Sequence, residues 1–113
     1  MTVTIHHNPG CSNSRGALEI MRAQGIEPVI VEYLKTPLSK DELLVLVKKL
    51  DVPLREIVRT KEAIYVELKL ENASDDALLD AVAAHPILLN RPIVVTPKGA
   101  RLCRPPELVR DLL

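Results

Sequence analysis

The sequence predicts an α/β domain built as a βαβ unit, a helical middle and a ββα end. Three observations carry this. Two short apolar runs, Val3–His7 and Val29-Ile30-Val31-Glu32, bracket a stretch with helical spacing. Capping residues and prolines punctuate the centre. Near the end, Ile93-Val94-Val95 and Arg101-Leu102-Cys103 flank the turn-forming Thr96-Pro97-Lys98-Gly99.

In the first helix, roughly Ser14–Gln24, Ala17, Leu18, Met21 and Arg22 recur at helical spacing, and Gly25 stops the run. Strands on either side of one helix imply parallel pairing with a right-handed crossover. In the middle, Ser39-Lys40-Asp41-Glu42 forms a capping box ahead of Leu43–Val47 and Leu50. Asp51-Val52-Pro53 ends that helix, and Pro53 opens a short one with Leu54, Ile57 and Val58. Val66–Leu70 fits either strand alternation or a helical turn. Ser74-Asp75-Asp76 starts a further helix with Leu78, Leu79 and Val82, which halts at His85-Pro86 because the residue before proline disfavours helix. After the hairpin, Pro105-Pro106-Glu107 opens a last helix carrying Leu108, Val109 and Leu112.

With 113 residues the chain reads as one domain, able to bury a core without cross-links. Fifteen Lys+Arg balance fifteen Asp+Glu, so no global field draws nucleic acid or an anionic membrane. Aromatic residues make up 2%, which also removes base-stacking platforms and makes the core aliphatic. Cys11 and Cys103 are too few for a disulfide framework. No leader-like segment and no apolar run of membrane-spanning length stands out. The expectation is a cytoplasmic protein with reduced thiols, and nothing in the pattern demands more than a monomer.

The chemistry concentrates in Asn8-Pro9-Gly10-Cys11-Ser12-Asn13-Ser14-Arg15, where a strand gives way to a helix. A thiol at a helix N-terminus faces free backbone N–H groups and the positive end of the helix dipole. Both favour the thiolate, the form that attacks. A lone cysteine is otherwise a small buried hydrophobe. The turn formers and polar groups around Cys11 argue against that here. Ser12 and Ser14 are candidate donors to the thiolate, Arg15 a nearby positive charge, and His7 a second electrostatic partner or simply a half-exposed strand-end residue. Cys11 is therefore expected to titrate well below the ordinary thiol value. Ser14 stands where a dithiol enzyme would carry its second cysteine, so the nucleophile must borrow a resolving thiol. Cys103 is read as a structural or incidental thiol.

Arg59, Arg91 and Arg104 each stand at an element boundary. Singly they read as solvated surface residues. Gathered at the cysteine end of a sheet they would form an anion cradle, because planar guanidinium groups bind tetrahedral oxyanions through paired N–H bonds. Pro92 is either a rigid edge residue or a cis proline presenting backbone to the cysteine loop.

These motifs carry a family resemblance. His6–Arg15, His85-Pro86-Ile87-Leu88-Leu89-Asn90-Arg91-Pro92-Ile93-Val94-Val95-Thr96-Pro97 and Gly99-Ala100-Arg101-Leu102-Cys103-Arg104-Pro105-Pro106-Glu107 resemble the glutaredoxin-dependent arsenate reductases, a branch of the thioredoxin superfamily. The resemblance implies a single thioredoxin-like domain over residues 1–113: a mixed four-stranded sheet with a helical insertion at about Leu38–Pro86. It implies that Cys11 is the nucleophile, that Arg59, Arg91 and Arg104 bind the oxyanion, that Pro92 is cis, and that His7 and Ser14 tune the cysteine. The implied reaction reduces arsenate to arsenite, with glutathione as co-substrate, glutaredoxin as partner, and no bound cofactor or metal. Two alternatives share the fold. A glutathione-linked thiol–disulfide oxidoreductase needs Cys11 without the arginines. A non-enzymatic regulator that binds RNA polymerase usually carries Cys-x-x-Cys, which Ser14 argues against.

Overall fold

Four strands form one mixed sheet in the order β2-β1-β3-β4. The computed structural model describes residues 2–50 and 52–113. β1 (Thr4–His7) pairs in parallel with β2 (Val29–Glu32), and α1 (Ser12–Ala23) crosses between them. β3 (Ile93–Thr96) runs antiparallel to β1, and β4 (Gly99–Leu102) antiparallel to β3. The expected βαβ and ββα halves are both present, joined through β1 and β3.

Local signals explain most element boundaries. α1 begins two residues before the expected start at Ser14, with Cys11 as N-cap in an extended conformation. Gly25 ends it with a φ of 78°, a left-handed geometry that glycine adopts without a Cβ clash. α2 (Lys40–Lys49) opens on the full Ser39/Glu42 capping box. Asp51, part of the expected stop after α2, lies outside the described residues. A 3₁₀ turn over Leu54–Ile57 follows. The ambiguous Val66–Leu70 region is helical: α3 (Ala63–Glu67) and then a 3₁₀ turn at Leu70–Asn72. Arg55 pins this region, donating to Tyr65 Oη and to the carbonyls of Leu70 and Ala73. α4 (Asp75–Ala84) is capped by Ser74, whose Oγ accepts from Ala77 N–H. The hairpin turns on Pro97-Lys98, so β4 starts at Gly99 and Cys103 falls just past its end. The last helix is 3₁₀ throughout, Pro106–Leu112.

The strand pleat sends alternate residues to two separate cores. Val94 joins Val3, Ile5, Met21, Cys103 and Val109 under α1 and the final 3₁₀ helix. Ile93, on the opposite face, joins Tyr33, Leu43, Leu78 and Leu88 among α2, α4 and the 3₁₀ turns. Where α1 meets the last helix, a Cβ on Gly16 would lie 3.0 Å from Pro106 Cγ, so the glycine permits the close approach. Among the described residues no helix is long and apolar enough to cross a membrane.

Candidate active site

The sheet topology gathers distant residues at one end. β1 and β2 are parallel, and the pairing of His7 with Glu32 places Asn8 and Tyr33 just beyond the same edge. β3 runs the other way and begins there, bringing Arg91 and Pro92. β4 reverses again and ends there, bringing Arg104. Arg59 arrives by a different route. An isolated bridge joins Val58 to Leu89, held by Arg59 N–H to Leu88 C=O (2.7 Å) and Asn90 N–H to Ile57 C=O (2.8 Å). This short pairing ties the segment after the Leu54–Ile57 turn to the loop that carries Arg91.

Cys11 opens α1 at this same end. Its own N–H donates to Asn8 C=O at 3.0 Å, closing the loop. The side chain is 8% exposed yet belongs to neither apolar cluster. Burial pushes the thiol up. The backbone N–H groups of Ser14 and Asn13, then the charges of Arg91 and Arg104, pull it down further and leave it below the ordinary value. Arg104 Nη1 lies 3.7 Å from Cys11 Sγ and also donates to Arg91 C=O at 3.0 Å. Arg91 Nε is buried without a hydrogen-bond partner among the described residues, while its Nη1 reaches Asn90 Oδ1 at 3.5 Å. Arg59 Nη2 pairs with Glu62 at 2.7 Å. The Arg91–Pro92 bond is cis, and so is Arg104–Pro105, which the sequence reading did not anticipate.

The polar residues around the thiol do not act as their types alone indicate. Ser14 is fully buried, and its hydroxyl accepts from Asn8 N–H at 3.1 Å while bonding His7 Nδ1. It is the Ser14 backbone, not the hydroxyl, that favours the thiolate. Ser12, the first helical residue, is exposed, and its hydroxyl forms no hydrogen bond among the described residues, so the expected donation to sulfur is not made. Arg15 is likewise exposed and donates to Pro9 C=O at 2.8 Å, which fixes the loop rather than charging the thiol. His7 is buried, not half-exposed. Burial lowers its pKa most, Glu32 opposes this, and Arg22 and Arg15 add to the lowering. The imidazole is therefore neutral near pH 7 and supports Ser14 instead of supplying charge to the cysteine.

Cys103 is not a neighbouring reactive thiol. It is fully buried in the core under α1, and burial raises its pKa to about 12. Its Sγ lies 3.6 Å from Arg101 C=O. One residue the sequence reading passed over lies at the same sheet edge: Tyr33, immediately after β2, has a buried hydroxyl. Its place in a VIVEY run reads simply as strand-end core, and only the register of β2 against β1 reveals where the hydroxyl ends.

A mixed sheet with a single activated thiol at the first helix N-cap and a cis proline opening β3 defines a thioredoxin-like protein. The profile described as the ArsC family matches residues 6–112, and the chain belongs to that family. An arsenate reductase from Rhizobium meliloti (strain 1021) is 50% identical over 115 residues, covering 100% of this chain and 82% of its own length. One from Escherichia coli is 50% identical over 113 residues, covering 98% of this chain and 80% of its own length. The structure of an arsenate reductase from Vibrio cholerae superposes with a TM-score of 0.96 at 46% identity, covering 100% of this chain and 98% of that one.

Proposed function

We propose that this chain reduces arsenate to arsenite, with Cys11 as nucleophile. The observation that carries the reading is the Arg104 guanidinium 3.7 Å from Cys11 Sγ, beside an Arg91 Nε that has no partner. A nucleophile and unspent cationic donors then face the same space. The sulfur attacks arsenic(V), forming an S–As bond as an arsenate oxygen leaves as water. Arg91 and Arg104, with Arg59 once turned from Glu62, offset the charge on the remaining oxygens. Glutathione supplies the second thiol. Its sulfur and Cys11 become a mixed disulfide, the two electrons reduce arsenic to the trivalent state, and arsenite departs. Glutaredoxin then accepts the glutathionyl group and restores the Cys11 thiol. The inert Cys103 makes an external resolving thiol necessary. A glutathione-rich, reducing compartment such as the cytoplasm suits this cycle.

The test is a coupled assay with arsenate, glutathione, glutaredoxin, glutathione reductase and a reduced nicotinamide. Arsenate-dependent nicotinamide oxidation, abolished by Cys11→Ser, is expected. Its absence from the wild-type protein overturns the reading. Arg91→Ala and Arg104→Ala are expected to lose arsenate turnover selectively. Equal loss towards a small disulfide would favour the general thiol–disulfide oxidoreductase.

A further inference from the structure

The Tyr33 hydroxyl is an anomaly in a well-satisfied interior. The residue is 1% exposed, and its ring packs with Leu43, Leu78 and Leu88 on the insertion side of the sheet. The hydroxyl nonetheless has no hydrogen-bond partner among the described residues. An orphaned buried hydroxyl is unfavourable, and phenylalanine would fill the same space without it. The groups whose charge or dipole it feels are those of the active site: Arg91, the Asn8 amide, Arg59 and Cys11. The Asn8 amide stands near, but no hydrogen bond of ordinary geometry closes between it and the hydroxyl. Arg91 Nε is the second buried, unpartnered donor at the same end of the sheet.

Two orphaned donors in one neighbourhood, one charged and one neutral, call for a single acceptor with several lone pairs. A tetrahedral oxyanion on Cys11 meets that need. We propose that the Tyr33 hydroxyl is a further donor to the oxyanion held by Cys11 and Arg91, and so a substrate-contacting residue of the pocket; this rests on the proposed oxyanion chemistry of the site. Burial raises the phenol pKa above its ordinary value, against lowering by Arg91, Asn8 and Arg59, so the hydroxyl keeps the proton it would donate. Being neutral, it binds an oxygen without adding positive charge, and the burial of its ring just past β2 fixes where that oxygen sits.

Tyr33→Phe tests this without arsenate turnover. Sulfate, a tetrahedral anion that is not reduced here, is titrated against the rate of Cys11 alkylation by iodoacetamide, followed on the Cys11 peptide by mass spectrometry. Wild-type protein is expected to be protected, and the variant to need roughly tenfold more sulfate, as loss of a hydrogen bond to a charged group implies. Without sulfate, the pH midpoint of alkylation is expected to be unchanged, and the melting temperature equal or higher because an orphaned hydroxyl has gone. A sulfate requirement within about twofold of wild type overturns the proposal, because a structural tyrosine or one satisfied by water leaves anion binding intact. Failure of sulfate to protect the wild-type protein overturns it too. The coupled arsenate assay on wild-type protein separately judges the proposed reaction.

Discussion

Replacing Arg104 with glutamine removes a charge close to Cys11 while keeping a polar side chain. The guanidinium lies 3.7 Å from Sγ, and Arg104 is exposed. Treated with the dielectric of water, two unit charges at that distance interact by about 1.1 kcal/mol, equivalent to roughly 0.8 pKa unit. A drier environment would enlarge this several-fold, but the solvated head keeps the effective value near the lower limit. Arg104→Gln is therefore expected to raise the Cys11 titration midpoint by about one unit. Thiolate ultraviolet absorbance against pH, with Cys11→Ser as the blank, measures it directly. Raising the salt concentration in wild-type protein should reproduce part of the shift by screening. Arg104→Lys, which keeps the charge, should recover most of the low midpoint. A glutamine variant titrating within about 0.2 unit of wild type would refute the assignment of Arg104 and leave the helix N-terminus and Arg91 to set the thiol.

Ser14→Ala should lower unfolding free energy by about 1–3 kcal/mol in denaturant titrations, because Asn8 N–H and His7 Nδ1 lose a buried partner. The same variant should leave Cys11 titration nearly unchanged, since the backbone N–H that faces the sulfur remains; a large upward shift would contradict this. Cys103 contributes an alkaline limit to stability. Below the ordinary thiol value of 9.0 folded and unfolded chains both keep its proton; from there to about 12 only the folded one does, so stability falls as pH rises, by about 4 kcal/mol at most. Cys103→Ala should flatten that part of the stability–pH curve, and identical alkaline slopes in the two proteins would count against it.

The pieces of the site that were visible in the chain were those set by neighbours in sequence. Ser39 read as a cap because Glu42 follows three residues on, Ser74-Asp75-Asp76 read as a helix start, and in the structure both serines cap. Cys11 read as a helix-start thiol because its flanking residues are turn formers, and it is the N-cap. Side-chain targets were less legible. Arg15 is near Cys11 along the chain but spends its guanidinium on Pro9, and His7 loses its charge to burial that no local pattern reports. The pairing of Arg59 with Glu62, the Val58–Leu89 bridge and the place of Tyr33 all depend on contacts between distant segments.

From residues alone came the place of the helix-start thiol and the order of its supporting elements, because hydrophobic period, caps and turns are short-range quantities. Which distant residues reach the sulfur's end of the sheet was decided by strand direction and, for Arg59, by the Val58–Leu89 bridge. One parallel and two antiparallel pairings bring the ends of β1, β2 and β4 and the start of β3 to a single edge. The electrostatics followed the same division. A helix N-terminus favours a thiolate wherever it occurs, but the balance between burial, which opposes ionisation, and converging charge, which favours it, exists only once the chain is packed.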